Sequence, residues 1–99
     1  MSEIRIVVGL HAKPGKADAL RRDLAKLVEP SRNEDGNLGY DLYEDANEPG
    51  QFVFFEHWES SEAQQKHHNS GEHIRSFHED GDQNVEARDF VHILKPVRS

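Results

Sequence analysis

The chain opens on a regular alternation. In EIRIVVGLHA, Ile4, Ile6, Val8 and Leu10 fall on one face, with Arg5, Val7, Gly9 and His11 on the other. Period two with β-branched residues predicts a strand, which Lys13-Pro14-Gly15 ends. The period then changes. Over 16–29, Ala17, Leu20, Leu24, Leu27 and Val28 recur mostly three or four apart. That spacing lays one apolar stripe along a helix. Asp18 and Arg22 stand four apart on its wet side as a favourable pair. Pro30 disfavours the helical conformation at Glu29 and is expected to end the helix there.

The polar, glycine-bearing SRNEDGN reads as a loop. LGYDLYED and FVFFEHWES read as strands flanking the turn ANEPGQ, which predicts an antiparallel hairpin around Pro49-Gly50. Ser60 or Ser61 suits the N-cap of a helix beginning near Glu62. Helix is expected to about residue 80, broken near Ser70-Gly71, before a last strand, VEARDFVHIL. The order β-α-β-β-α-β predicts an α+β fold. It is a ferredoxin-like antiparallel sheet with helices on one face, in a single domain over 1–99.

FVFFEHW breaks the pattern of a sheet that is wet on one side. Phe52, Phe54 and Trp58 share one face, yet Val53 and Phe55 load the other. Helices cover only one face, so a second copy of the chain is the simplest cover for the other, and a homodimer is expected. Composition agrees. Only 34% of the 99 residues are hydrophobic, a thin supply for a domain core, and sharing apolar surface with a partner would help.

Charge narrows the function classes. The net charge is −7, from 19 acidic and 12 basic residues, and no cluster of Lys and Arg suits a phosphate backbone, so nucleic acid is not an expected partner. No apolar run is long enough to cross a membrane, and the N-terminus does not read as a secretion signal. The absence of cysteine excludes disulfides and thiolate chemistry. A cytoplasmic protein is expected. No nucleotide, flavin or phosphate-loop motif appears, so no cofactor is expected.

Seven histidines stand out: His11, His57, His67, His68, His73, His78 and His92. On a helix, two metal ligands belong three or four residues apart, and none of the helical pairs has that spacing, so surface histidines are favoured over a metal site and none is expected. His67 lies seven residues before Ile74, near the apolar side that Ile74 and Phe77 mark. A neutral imidazole there could serve as a general base, or simply as a polar boundary residue. Glu56 shares a strand face with Phe54 and Trp58. Desolvated among aromatics it could act as an acid or base; it could equally pair with Arg5, Arg75 or Arg88. Trp58, Tyr43 and Tyr40 could line an aromatic pocket or fill the core.

Lys13-Pro14-Gly15-Lys16, the Tyr40–Glu44 strand, Phe52–Ser60 with Glu56 and Trp58, His67 and Ser70 together resemble the antibiotic biosynthesis monooxygenase domain family. The resemblance spans roughly residues 4–94. It implies a dimeric α+β barrel with a pocket between sheet and helices in each subunit. Family members include monooxygenases that need no cofactor, quinol monooxygenases among them, together with an isomerase and haem-degrading enzymes. Carried onto this chain, the resemblance makes His67 the base or hydrogen-bonding residue. Trp58 and Tyr43 would line the pocket, and Glu56 would orient the site. Tyr40, Phe54, Ile74 and Phe77 complete the candidate pocket. The implied substrate is a small quinol or polyphenol that reacts with molecular oxygen. An isomerase or a non-catalytic ligand-binding dimer is the alternative. The haem-degrading branch uses an asparagine on the first strand, where this chain offers Val7, Val8 and Gly9; Trp58 would fit and His78 would with one insertion, so haem degradation ranks below the quinol reading.

Overall fold

The computed structural model describes residues 3–80 and 82–97. Met1, Ser2, Gly81, Arg98 and Ser99, which the single-domain expectation included, lie outside the described residues. Strands β1 (Ile4–Ala12), β2 (Asn37–Glu44), β3 (Gln51–Trp58) and β4 (Val85–Leu94) form one antiparallel sheet in the order β2-β3-β1-β4. Helices α1 (Ala17–Ala25), α2 (Val28–Arg32), α3 (Ser61–Ser70) and α4 (Glu72–Asp80) make the connections, and a 3-10 turn, Asp82–Asn84, leads into β4. This is the ferredoxin-like α+β fold expected from the order of segments.

The first helical region differs from expectation. It is two helices, and Pro30 lies inside the second. Pro30 sits in the first turn of α2, where an N–H has no helical acceptor to lose, so the ring is tolerated. Ser31 and Arg32, expected in a loop, are therefore helical. The expected Asp18–Arg22 pair is replaced by Asp18–Arg21 at 2.7 Å. Arg21 also forks onto both carboxylate oxygens of Glu44 at 2.8 Å. A bidentate tie to β2 is a stronger anchor than a helix-surface pair, which explains the choice of Arg21.

Strand register sorts side chains into two faces. On the helix side, Tyr40, Glu56, Ile6 and Ile93 form one cross-strand row, and Leu42, Phe54, Val8 and Val91 the next. Leu20 and Leu24 of α1, with Leu27, Ile74 and Phe77, pack over this face, and Trp58 and Phe52 are almost completely buried. On the opposite face the rows read Asp41, Phe55, Val7, His92 and Tyr43, Val53, Gly9, Phe90. No helix among the described residues covers these. Phe55 and Tyr43 meet edge to face, with ring centroids 5.8 Å apart, and each is about half exposed. A Cβ on Gly9 would stand 2.2 Å from the Phe90 ring, so the glycine is what lets Phe90 lie across β1.

Ser60 caps α3, its Oγ accepting from Ala63 N–H at 3.2 Å. The expected break falls at Gly71, whose backbone is extended. A Cβ there would lie 2.7 Å from the His67 carbonyl oxygen, so the close approach of α4 to the end of α3 requires glycine.

Candidate active site

The break at Gly71 decides what His67 meets. In a continuous helix, residues six apart point to different sides. With the chain turned at Gly71, the His67 and His73 rings come to 5.6 Å between centroids. Glu34, in the connection between α2 and β2, reaches between them. Its Oε1 lies 2.6 Å from His67 Nδ1 and 2.8 Å from His73 Nε2. Ser31 Oγ lies 3.0 Å from His73 Nε2. A carboxylate oxygen accepts, so Nδ1 of His67 donates and the ring carries its hydrogen there. Nε2 is left with its lone pair. It has no hydrogen-bond partner among the described residues, and the His67 side chain borders open space.

That space is a cavity of about 290 Å³ between sheet and helices. Its floor is Ile6, Val8, Tyr40, Phe54 and Glu56, its roof Leu24, Leu27, Ile74 and Phe77, and its open side Val91 and Ile93. His67 enters from α3, with Gln64 and His68 beside it; Leu10, His78 and Arg88 complete the lining. Val91 and Ile93 are 56% and 71% exposed, so the cavity opens along the uncovered part of β4.

Three ionisable groups in this cavity are perturbed. Burial pushes His67 below the usual histidine range, against the pull of the Glu34 carboxylate. Burial pushes the Glu56 carboxyl up; the indole of Trp58 opposes this, donating from Nε1 to Glu56 Oε1 at 3.0 Å, and the charge of Glu34 adds to the rise. Tyr40 is held on the phenol side by burial and by the nearby Glu56. The site therefore offers a ring nitrogen able to accept a proton and a carboxyl inclined to keep one, within walls that are mainly apolar. That is the equipment for acid–base work on a small, largely apolar molecule.

Of the eight candidate site residues, six line the cavity: His67, Glu56, Tyr40, Phe54, Ile74 and Phe77. Trp58 does not. It stands behind them, its ring 4.8 Å from that of His67, and its indole N–H on Glu56. It supports both groups rather than touching the cavity. Tyr43 is the clear correction: register sends it to the opposite face, against Phe55, because it is one residue from Leu42 and side chains alternate. None of Arg5, Arg75 or Arg88 forms an ion pair with Glu56 among the described residues; Arg5 pairs with Glu3 and Arg88 with Asp82. Glu34 and Ser31 fall in a stretch that reads as loop, and His73 reads from its spacing as a surface histidine. Glu34 lies in a polar stretch with no periodicity to mark it. The one available clue was Gly71 between His67 and His73, since a helix break voids helical spacing rules.

The fold and this cavity define a class: a ferredoxin-like domain with a pocket between sheet and helices that is lined by His67 and Glu56. The sequence from residue 3 to 80 matches the antibiotic biosynthesis monooxygenase family, and the chain belongs to it. It is 38% identical over 68 residues to "Putative monooxygenase YcnE" of Bacillus subtilis, covering 69% of this chain and 70% of that one. The solved structure of Rv0793 from Mycobacterium tuberculosis superposes with a TM-score of 0.87 at 30% identity, covering 99% of this chain and 98% of that one. PA3566 from Pseudomonas aeruginosa gives 0.82 at 33%, covering 100% and 96%. No helix among the described residues is long and apolar enough to cross a membrane.

Proposed function

We propose that the protein is a monooxygenase that takes a small quinol or polyphenol with molecular oxygen, without a cofactor, as a homodimer in the cytoplasm. The observation that carries this reading is His67: Glu34 holds its hydrogen at Nδ1, and Nε2 is left as an acceptor at an apolar cavity. A quinol seated against the Phe54 and Ile6 floor gives its hydroxyl proton to Nε2. The resulting anion is electron-rich enough to reduce oxygen. One oxygen atom bonds to a ring carbon and the other leaves as water, so a hydroquinone and O₂ become a hydroxyquinone and H₂O. The substrate supplies all four electrons. Glu56, inclined by burial to keep its proton, donates to the second substrate oxygen. The apolar floor and roof limit the water around the anion and hold the reactants together.

The second copy is favoured by the sheet face that carries Phe55, Tyr43, Val7 and Val53 without helical cover. An uncovered aromatic and aliphatic patch of that kind marks an association surface.

A second reading has its own observation. An acid and a base bordering one cavity suffice to move a proton between two positions of a substrate, which is isomerase chemistry and needs no oxygen. Reaction under ¹⁸O₂ separates the two. The oxygenase reading predicts a product of a quinol substrate that gains one labelled atom, with the other in water. Unlabelled product formed equally well under nitrogen supports the isomerase; binding of a panel of small quinols without turnover defeats the oxygenase reading.

A further inference from the structure

Glu34, His67 and His73 do more than orient a base. Their ligand atoms lie within 4.8 Å of one another. They comprise two imidazole nitrogens and a carboxylate oxygen, the donor set that suits a divalent transition metal ion such as zinc. We infer that these three residues form a binding site for a divalent transition metal ion, and that occupation of it switches off His67 as a base.

The geometry needs small adjustment. Zinc with ligands at about 2.0–2.2 Å in a tetrahedron holds its donor atoms a little over 3 Å apart. The two imidazole nitrogens now lie 2.6 and 2.8 Å from one oxygen of Glu34, so rotation of that carboxylate opens room for an ion in place of two hydrogen atoms. All three side chains are at most about one-fifth exposed, at 5%, 21% and 18% for His67, Glu34 and His73. Ser31 Oγ, 3.0 Å from His73 Nε2, stands near enough to take a fourth position or to fix a water there. One of the three ligands also meets the surface away from the substrate cavity. His73 borders a surface groove with Pro30, Glu72, Arg75, Ser76 and Glu79, where two carboxylates outnumber one guanidinium.

The consequence for His67 follows from tautomers. In the metal-free site Nδ1 carries the hydrogen and Nε2 accepts. A metal on Nδ1 takes that position, so the hydrogen of the neutral ring moves to Nε2. The cavity then faces a donor where it had an acceptor, and proton removal from a substrate stops. Binding itself does not depend on the oxygenase reading; only the inhibition rests on it.

The test uses chelator-stripped full-length protein and zinc chloride alone. Isothermal titration calorimetry is expected to show one ion bound per chain in the micromolar range. Long-range ¹H–¹⁵N spectra are expected to show the His67 hydrogen passing from Nδ1 to Nε2. His73→Ala should weaken binding at least about tenfold, while His78→Ala, which removes a neighbouring exposed histidine, leaves it unchanged. No saturable binding overturns the proposal. So does binding that His73→Ala leaves intact, which would mark adventitious capture by surface histidines. Because calorimetry and spectra need no turnover, a failure of the oxygenase reading leaves this result standing, and the reverse also holds.

Discussion

The two faces of the sheet are built from the same strands and carry similar residues, yet they meet opposite environments. In β3, Phe54 and Phe55 are neighbours. The first is buried at 4% exposure on the helix side, the second is 50% exposed on the bare face. The helix side also holds a carboxylate, Glu56, between Tyr40 and Ile6. On the bare side, Asp41 and His92 end a row of Phe55 and Val7, while Arg5 and His57, and His11 and Gln51, pair nearer the two ends of the central strands. A buried polar group on an otherwise apolar face costs stability and calls for a role; an exposed apolar patch calls for a partner. One face reads as chemistry and the other as assembly.

Truncation on the two faces should break that symmetry most plainly. Trp58→Ala removes a fully buried indole and the donor to Glu56, and should cost about 3–5 kcal/mol in urea unfolding. A loss under about 1 kcal/mol would place Trp58 outside the core. Phe55→Asp on the bare face should barely change the unfolding of one chain, by under about 0.5 kcal/mol. It should convert a particle of two chain masses to one in light scattering; an unchanged mass would show that this face is not the dimer surface. Between these in size is the anchorage of the helical roof. Ser60→Ala loses the cap of α3 and should cost about 1 kcal/mol, read as a shift in the denaturation midpoint.

The smallest effect has an unusual sign. Burial raises the Glu56 carboxyl above its ordinary 4.5. A group whose folded pKa is raised contributes stability below its unfolded pKa and loses it as pH climbs through the folded one. Glu56→Gln keeps an acceptor for the Trp58 indole and removes the buried charge. The variant should therefore melt a few degrees above the wild type near neutral pH and above, with the advantage vanishing as pH falls to about 4.5 and below. Equal melting curves at high pH would show that Glu56 is well paired instead.

Much of this was legible in the chain. The alternation of Ile4 to Leu10 and the heavy loading of FVFFEHW set the strands and hinted at the second face. Ser60 and Gly71 marked where helix begins and breaks. Tyr43 was misplaced because likeness to a family says which residues are aromatic near a pocket, while the period of two decides which face each one joins. Glu34 was invisible because a loop residue has no periodicity; only the return of α4 onto α3 and the position of α2 bring it between two histidines. Sequence patterns carry facing, and they do not carry meetings between irregular segments.

The most direct measurement of the central claim is oxygen uptake by metal-stripped protein across a panel of quinols and polyphenols, beside His67→Ala whose fold is verified by circular dichroism. The expected result is uptake above the autoxidation blank by the wild type, reduced by about a hundredfold or more in the variant. Uptake that His67→Ala sustains at the wild-type rate, or no uptake with any quinol, would contradict it.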